Sequence, residues 1–214
     1  MTSQISALLE TTPVVPLIQT DDPAIAVKIA HALAEGGLKV VEVVLRTPAA
    51  LECLRAITSE VDEVIAGAGT VLNTLQAKAA IDAEAKFIVS PGLDEGIANT
   101  TKTAGLPLYA GISTATEAQR AHNLGLNAVK FFPASLAGGI PMLKALSSVF
   151  RDMHFMPTGG VSATNLPDFL SVPSVFACGG SWITPAKAIA EGNFEVVTKL
   201  AREAANIAHT ARAK

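Results

Sequence analysis

A lysine lies inside the apolar run Ala128–Val129–Lys130–Phe131–Phe132, which Pro133 ends. Burying an ammonium without a partner costs several kcal/mol, so a lysine in such a run needs a reason. One reason is chemical: an amine that has given up its proton is a nucleophile and forms a Schiff base with a carbonyl. The alternative is an ordinary strand lysine whose stem lies on the sheet while its ammonium reaches water. A second ionisable residue sits in a comparable place, in Val41-Glu42-Val43-Val44-Leu45-Arg46. Alternation along a strand puts Glu42, Val44 and Arg46 on one face and Val41, Val43 and Leu45 on the other. Both faces are otherwise apolar, so Glu42 is expected inside. Its structural alternative is an internal ion pair with Arg46, but four residues of strand span roughly 13 Å and the two groups do not stack directly. A carboxylate buried near a lysine suits proton transfer. A nearby Arg46 cation would also disfavour a second positive charge on Lys130.

Two further segments pair glycines after apolar runs, Thr158-Gly159-Gly160 and Gly179-Gly180-Ser181. Glycine lets backbone approach a ligand closely and leaves N–H groups to bind an anion, so these read as a phosphate cradle rather than as two plain turns. Thr70 and Pro91 also follow apolar runs; alone, each is an ordinary turn residue. Trp182 is expected to pack against the last helix. The histidines, His31, His122, His154 and His209, have no metal-ligand spacing, and His31 and His122 fall on expected helix surfaces, so metal-dependent chemistry is unsupported.

The elements that would position these residues repeat one pattern. A short β-branched run is followed by a turn and then an alanine-rich stretch, eight times over. Strands are expected at Val14–Gln19, Val40–Leu45, Val64–Ala66, Phe87–Val89, Leu108–Ala110, Ala128–Phe132, His154–Met156 and Val175–Cys178. Gly67-Ala68-Gly69 and Gly179-Gly180 read as the turns after the third and eighth. A short helix over Ser3–Glu10 precedes the first strand, and a long one from Phe194 to about Ala211 closes the chain. Eight strand–helix units with strands too apolar to face water argue for a single closed (β/α)8 TIM barrel spanning residues 1–214, with the chemistry at the C-terminal strand ends. The alternative is an open doubly wound sheet, but no third glycine completes a nucleotide fingerprint after Gly67-Ala68-Gly69.

Composition narrows the function class. The chain has 214 residues, half of them hydrophobic and 16% charged, with a net charge of −3 and no basic run, so neither nucleic acid nor a membrane surface is an expected partner. No apolar run approaches the roughly 18 residues of a membrane span, and the first residues have no basic n-region or long apolar stretch of a signal peptide. Cys53 and Cys178 form no CxxC and are expected as buried free thiols in a reducing cytoplasm.

With these residues in hand, the chain resembles the 2-keto-3-deoxy-6-phosphogluconate (KDPG) and 4-hydroxy-2-oxoglutarate (KHG) aldolase family, the class I aldolases of the Entner–Doudoroff pathway. The resemblance runs from about Pro13 to Pro185. It is carried by Val41-Glu42-Val43-Val44-Leu45-Arg46-Thr47, Gly67-Ala68-Gly69-Thr70-Val71-Leu72-Asn73, Val89-Ser90-Pro91-Gly92-Leu93, Lys130-Phe131-Phe132-Pro133-Ala134, Pro157-Thr158-Gly159-Gly160 and Gly179-Gly180-Ser181-Trp182. It implies Lys130 as the Schiff-base lysine and Glu42 as the general acid/base. It further implies that Arg46, Thr70 and Pro91 line the substrate carboxylate and carbonyl region with Phe132 beside them. Thr158, Gly159, Gly160, Gly180 and Ser181 would hold the phosphate. The same resemblance implies a homotrimer, no cofactor, no metal, and a phosphorylated keto acid as the small-molecule partner.

The chain departs from the family pattern at Val44, where a threonine is usual, at Ala110, where a proline is usual, and at Ser135, where a glutamate is common. The Ser135 change is similar to the related galactonate-pathway aldolase, whereas Thr158 and Ser181-Trp182 favour the gluconate type. Rival readings are a barrel epimerase or isomerase, which would keep the glycine cradle without needing Lys130, and a non-catalytic barrel that binds sugar phosphates.

Overall fold

Short β-branched runs form parallel strands and alanine-rich segments form helices throughout residues 3–213, which the structure, a computed structural model, describes. The order is α1 (Ser3–Thr11), β1 (Val14–Ile18), α2 (Pro23–Glu35), β2 (Val40–Val44), α3 (Ala50–Glu60), β3 (Ile65–Gly69), α4 (Thr74–Asp82), β4 (Ile88–Val89) and α5 (Glu95–Thr103). It continues with β5 (Leu108–Tyr109), β6 (Gly111–Ile112), α6 (Ala115–Asn123), β7 (Ala128–Phe131), α7 (Gly139–Val149), β8 (His154–Pro157), α8 (Leu166–Leu170), β9 (Cys178–Gly180), α9 (Ala186–Ala190) and α10 (Phe194–Arg212). Helix starts follow the local chemistry. Asp22 accepts from the N–H groups of Ala24 and Ile25 ahead of Pro23, while Asn73 and Asp94 cap α4 and α5 in the same way.

All pairings between named strands are parallel, but the strands form two sheets rather than one continuous ladder. One runs β5-β4-β3-β2-β1-β9 and the other β6-β7-β8. The expected fifth strand is split at Ala110. Leu108 and Tyr109 pair with β4, whereas Gly111 and Ile112 pair with β7, so the segment changes partner midway. Gly111 permits this bend, because a Cβ there would collide with the backbone carbonyl of Pro91. The sheets still touch at both ends. The Lys130 N–H donates to the Ala110 carbonyl at 2.9 Å, and Phe155 makes an isolated parallel bridge to Val175.

The third and eighth strands differ from the sequence expectation in one respect. Gly67-Ala68-Gly69 and Gly179-Gly180 are not turns after strands but the strands themselves. Their glycines make room: a Cβ at Gly67 would lie 2.5 Å from the Phe87 ring, and one at Gly179 would overlap the Thr158 side chain. The 3-10 turn at Ser181–Ile183 and the helix α9 were not foreseen, being too short for a periodic pattern. Trp182 is half-buried against the core beneath α10, as expected.

Two apolar layers result. Ala66, Ala68, Ile88, Val129 and Phe131 face outward into the large core under the helices. Val15, Val40, Phe87, Val89, Tyr109, Met156 and Ala177, drawn from both sheets, meet in a separate inner cluster, into which Ile5 and Leu9 of α1 insert. Tyr109 lies 5.8 Å from Phe87 and 5.4 Å from Phe176 between ring centroids. Cys53 and Cys178 are buried and unpaired, and burial, reinforced by Asp21 and Asp22, pushes the Cys53 thiol up to about 11.

Helix α6 opens with a complete capping box. The Glu117 carboxylate accepts from the backbone N–H groups of Ser113 and Thr114 at 2.8 and 2.9 Å and from both hydroxyls, while the Glu117 N–H donates to Thr114 Oγ1. Partial burial pushes the Glu117 carboxyl up, but these hydrogen bonds outweigh it and hold the group below the usual carboxylate range. A depressed folded-state value stabilises the fold above the unfolded-state value and ceases to do so as the pH falls through the folded one. Glu117→Ala is therefore expected to cost about 1 kcal/mol at neutral pH. Urea unfolding of both proteins across the acid range should show that difference shrinking as the carboxyl protonates.

Candidate active site

Glu42 and Lys130 sit one strand step above the inner cluster. Val40 and Ala128, two residues earlier on the same faces, belong to that cluster. Parallel register aligns Glu42 with Leu17 and Gly67, and Lys130 with Gly111 and Met156. The Lys130 Nζ lies 3.6 Å from Glu42 Oε1, and the two side chains are 3% and 0% exposed. The solvated-lysine alternative is thereby excluded, and Glu42 pairs with Lys130 rather than with Arg46. At 3.6 Å the contact is longer than a good hydrogen bond, and among the described residues neither Glu42 oxygen has a hydrogen-bond partner. A buried carboxylate with unengaged lone pairs beside an amine can receive and return protons. Among the described residues, Lys130 is the charged group set against the buried Glu42 carboxylate.

The Phe132 ring lies beside the same nitrogen, with its centroid 5.2 Å from Lys130 Nζ, within cation–π range. Its other neighbour is Gly159, where a Cβ would come 3.4 Å from the ring. Pro91 is half-buried, its carbonyl packed over Gly111, the register partner of Lys130.

Arg46 departs from the sequence reading. Strand β2 ends at Val44, the Arg46 N–H turns back to the Val44 carbonyl at 2.8 Å, and the side chain is exposed at the lip rather than stacked on the Glu42 face. Its Nε donates to Thr70 Oγ1 at 3.0 Å. Thr70 directly follows β3 with φ of +57°, an uncommon conformation for a β-branched residue. A guanidinium anchored through Nε keeps its two terminal nitrogens to meet a carboxylate in bidentate fashion.

The loop after β8 carries a glycine pair that follows its strand as a turn. Gly159 and Gly160 have φ of +92° and +82°, and their N–H groups donate to no carbonyl among the described residues. This loop is fastened to the one after β7. The Ala134 N–H donates to the Thr158 carbonyl at 2.8 Å and the Ser135 N–H to the Gly159 carbonyl at 3.1 Å. Thr158 is buried, its hydroxyl making a long 3.4 Å contact to the Met156 carbonyl, and it packs over Gly179. Gly180 is buried in β9, while Ser181 is exposed at the start of the next turn. The structure thus joins Lys130, Glu42 and Phe132 in one contact set, Arg46 and Thr70 in a second, and Thr158, Gly159 and Gly160 in a third, linked to the first through Phe132.

The sequence reading takes Gly67 and Gly69 as turn residues, notes Ser135 only as a departure from the family pattern, and gives Gly111 no role. Ser135 lies against Gly160, whose missing side chain leaves space for its hydroxyl. The signal for Gly67 and Gly69 was present, since two glycines alternating in an apolar run share one face of a strand, but glycine-rich segments are read first as turns.

Residues 5–200 match the family description "Aldolase: KDPG and KHG aldolase". The KHG/KDPG aldolase of Escherichia coli K12 is 45% identical over 198 residues, covering 92% of this chain and 93% of its own length. Among solved structures, KDPG aldolase from Legionella pneumophila, with pyruvate captured at low pH as a covalent carbinolamine intermediate, superposes with a TM-score of 0.90 at 38% identity over 94% of this chain and 98% of that one. The 2-keto-3-deoxy-6-phosphogluconate aldolase of Zymomonas mobilis ZM4 with 3-phosphoglycerate gives 0.89 at 40% identity over 99% of both chains. A family match over nearly the whole chain, together with relatives this similar at full length, establishes that the chain belongs to the KDPG and KHG aldolase family.

Proposed function

We propose that this chain is a class I aldolase that cleaves 2-keto-3-deoxy-6-phosphogluconate to pyruvate and glyceraldehyde 3-phosphate, and 4-hydroxy-2-oxoglutarate to pyruvate and glyoxylate. The observation that carries the reading is the buried Lys130–Glu42 pair, with a carboxylate oxygen 3.6 Å from the amine and no competing hydrogen bond. Family membership supports the same reaction. The fold proposed for it is a complete (β/α)8 barrel in one domain, supported by the Ala110–Lys130 hydrogen bond and the Phe155–Val175 bridge between the sheets. A homotrimer, which the family resemblance implies, and a cytoplasmic location, which the free cysteines suggest, complete the proposal. Among the described residues no helix is long and apolar enough to cross a membrane.

In this mechanism the amine form of Lys130 adds to the C2 ketone to give a carbinolamine. Glu42 protonates the departing hydroxyl through a water, and loss of water leaves an iminium. The Glu42 carboxylate then takes the C4 hydroxyl proton while the C3–C4 bonding electrons flow into the iminium, releasing glyceraldehyde 3-phosphate and an enamine. Return of that proton to C3 and hydrolysis free pyruvate and restore Lys130. Arg46, held by Thr70, would pair with the pyruvyl carboxylate. The Gly159-Gly160 N–H groups, with Thr158, Gly180 and Ser181, would bind the phosphate.

Borohydride added with pyruvate should reduce an adduct onto Lys130, located by peptide mass analysis; a label found elsewhere would remove Lys130 from the mechanism. Glu42→Gln should slow cleavage, followed by coupling pyruvate release to lactate dehydrogenase, by about 10² to 10⁴ while adduct still forms. Unchanged turnover in that variant would remove Glu42. Thr70→Gly should raise stability by about 1 kcal/mol, because the left-handed conformation costs a threonine roughly 1–2 kcal/mol and glycine gives back part of that gain as chain entropy. The same variant should raise KM for pyruvyl substrates through loss of the Arg46 anchor. Thermal unfolding and steady-state kinetics measure the two opposite effects.

A further inference from the structure

We propose that Gly69 is the positioning residue for Glu42: its missing side chain is the slot that sets the carboxylate opposite Lys130. This inference rests on Glu42 being the acid/base. Ile65, Gly67 and Gly69 share the inner face of β3, while Ala66 and Ala68 face the outer core, and Gly69 lies beside Val44 in the parallel register with β2. A Cβ on Gly69 would overlap Glu42 Oε1 and stand 2.5 Å from both Cδ and Cγ. Oε1 is also the oxygen that faces the Lys130 Nζ. The atom a side chain would displace is therefore the atom that performs the proton transfer.

Backbone conformation does not account for this glycine. Gly69 has no left-handed φ, unlike Gly159 and Gly160, so an L-residue fits its backbone. Glycine inside a strand also destabilises it relative to alanine. No described residue holds the carboxylate by a hydrogen bond either, since both its oxygens lack such a partner. What remains to fix its position is shape: the β2 backbone beneath it, Lys130 on one side and the open face of Gly69 on the other.

A double-mutant cycle between Gly69→Ala and Glu42→Ala tests this, read by kcat for KDPG cleavage, KM and thermal unfolding. Gly69→Ala in the native background should lower kcat by about 10² to 10⁴, the range expected for loss of an acid/base, with KM changing much less. In the Glu42→Ala background, where the Cγ and carboxylate are gone, Gly69→Ala should leave kcat unchanged and should no longer lower Tm. If Gly69→Ala alone fails to fold, recovery of a folded protein in the double variant identifies Glu42 as the obstruction, and an unfolded double variant overturns the proposal. A native-like kcat in Gly69→Ala alongside an impaired Glu42→Ala also overturns it. If Glu42→Ala itself turns over normally, the acid/base assignment fails, and the Tm coupling alone then reports whether the slot exists.

Discussion

The cost of removing two charges from water governs this site. Lys130 and Glu42 are buried as a pair, with neither Glu42 oxygen hydrogen-bonded among the described residues, and a buried ion pair gains little stability over an apolar pair of similar volume. A stable core alone would not select it. What the arrangement provides is a low-dielectric setting in which the interaction between the two groups is far stronger than it would be in water. The surrounding fold meets this constraint with an apolar cluster below, aromatic Phe132 beside and outer helices sealing the strands.

Everything able to exchange with solvent is placed at the lip. Arg46 lies past the end of β2, Ser181 past the end of β9, and Gly159-Gly160 past the end of β8. Polarity therefore follows the strand axis: the buried ionisable pair lies within the strands, and the exposed guanidinium, hydroxyl and diglycine lie past their ends. The hydrogen bonds from Ala134 and Ser135 to Thr158 and Gly159 tie the two levels together, joining the segment that follows Lys130 to the diglycine loop.

Lys130 and Glu42 were legible in the sequence because an ionisable residue in an apolar strand has few physical excuses, and the order of strands and helices was legible because hydrophobic periodicity changes between them. The Arg46 placement was not, since where a strand stops depends on its neighbour's hydrogen bonds rather than on its own alternation. The split at Ala110 was equally hidden: it arises where one segment must pair with β4 and then with β7, a demand set by partners distant in sequence. Gly67, Gly69 and Gly179 were misread as turn residues for a related reason. Glycine at those positions answers the volumes of Phe87, Glu42 and Thr158, and no local pattern records the bulk of a residue that arrives from another strand.

The N-terminal helix gives the arrangement an electrical boundary. Ile5 and Leu9 of α1 are 1% and 3% exposed where they enter the inner cluster, directly under the level of the charged pair. A helix that precedes the first strand thereby supplies apolar side chains to the low-dielectric floor beneath that pair. The polarity around an ionisable pair drawn from β2 and β7 is therefore set in part by a segment that precedes both in the chain.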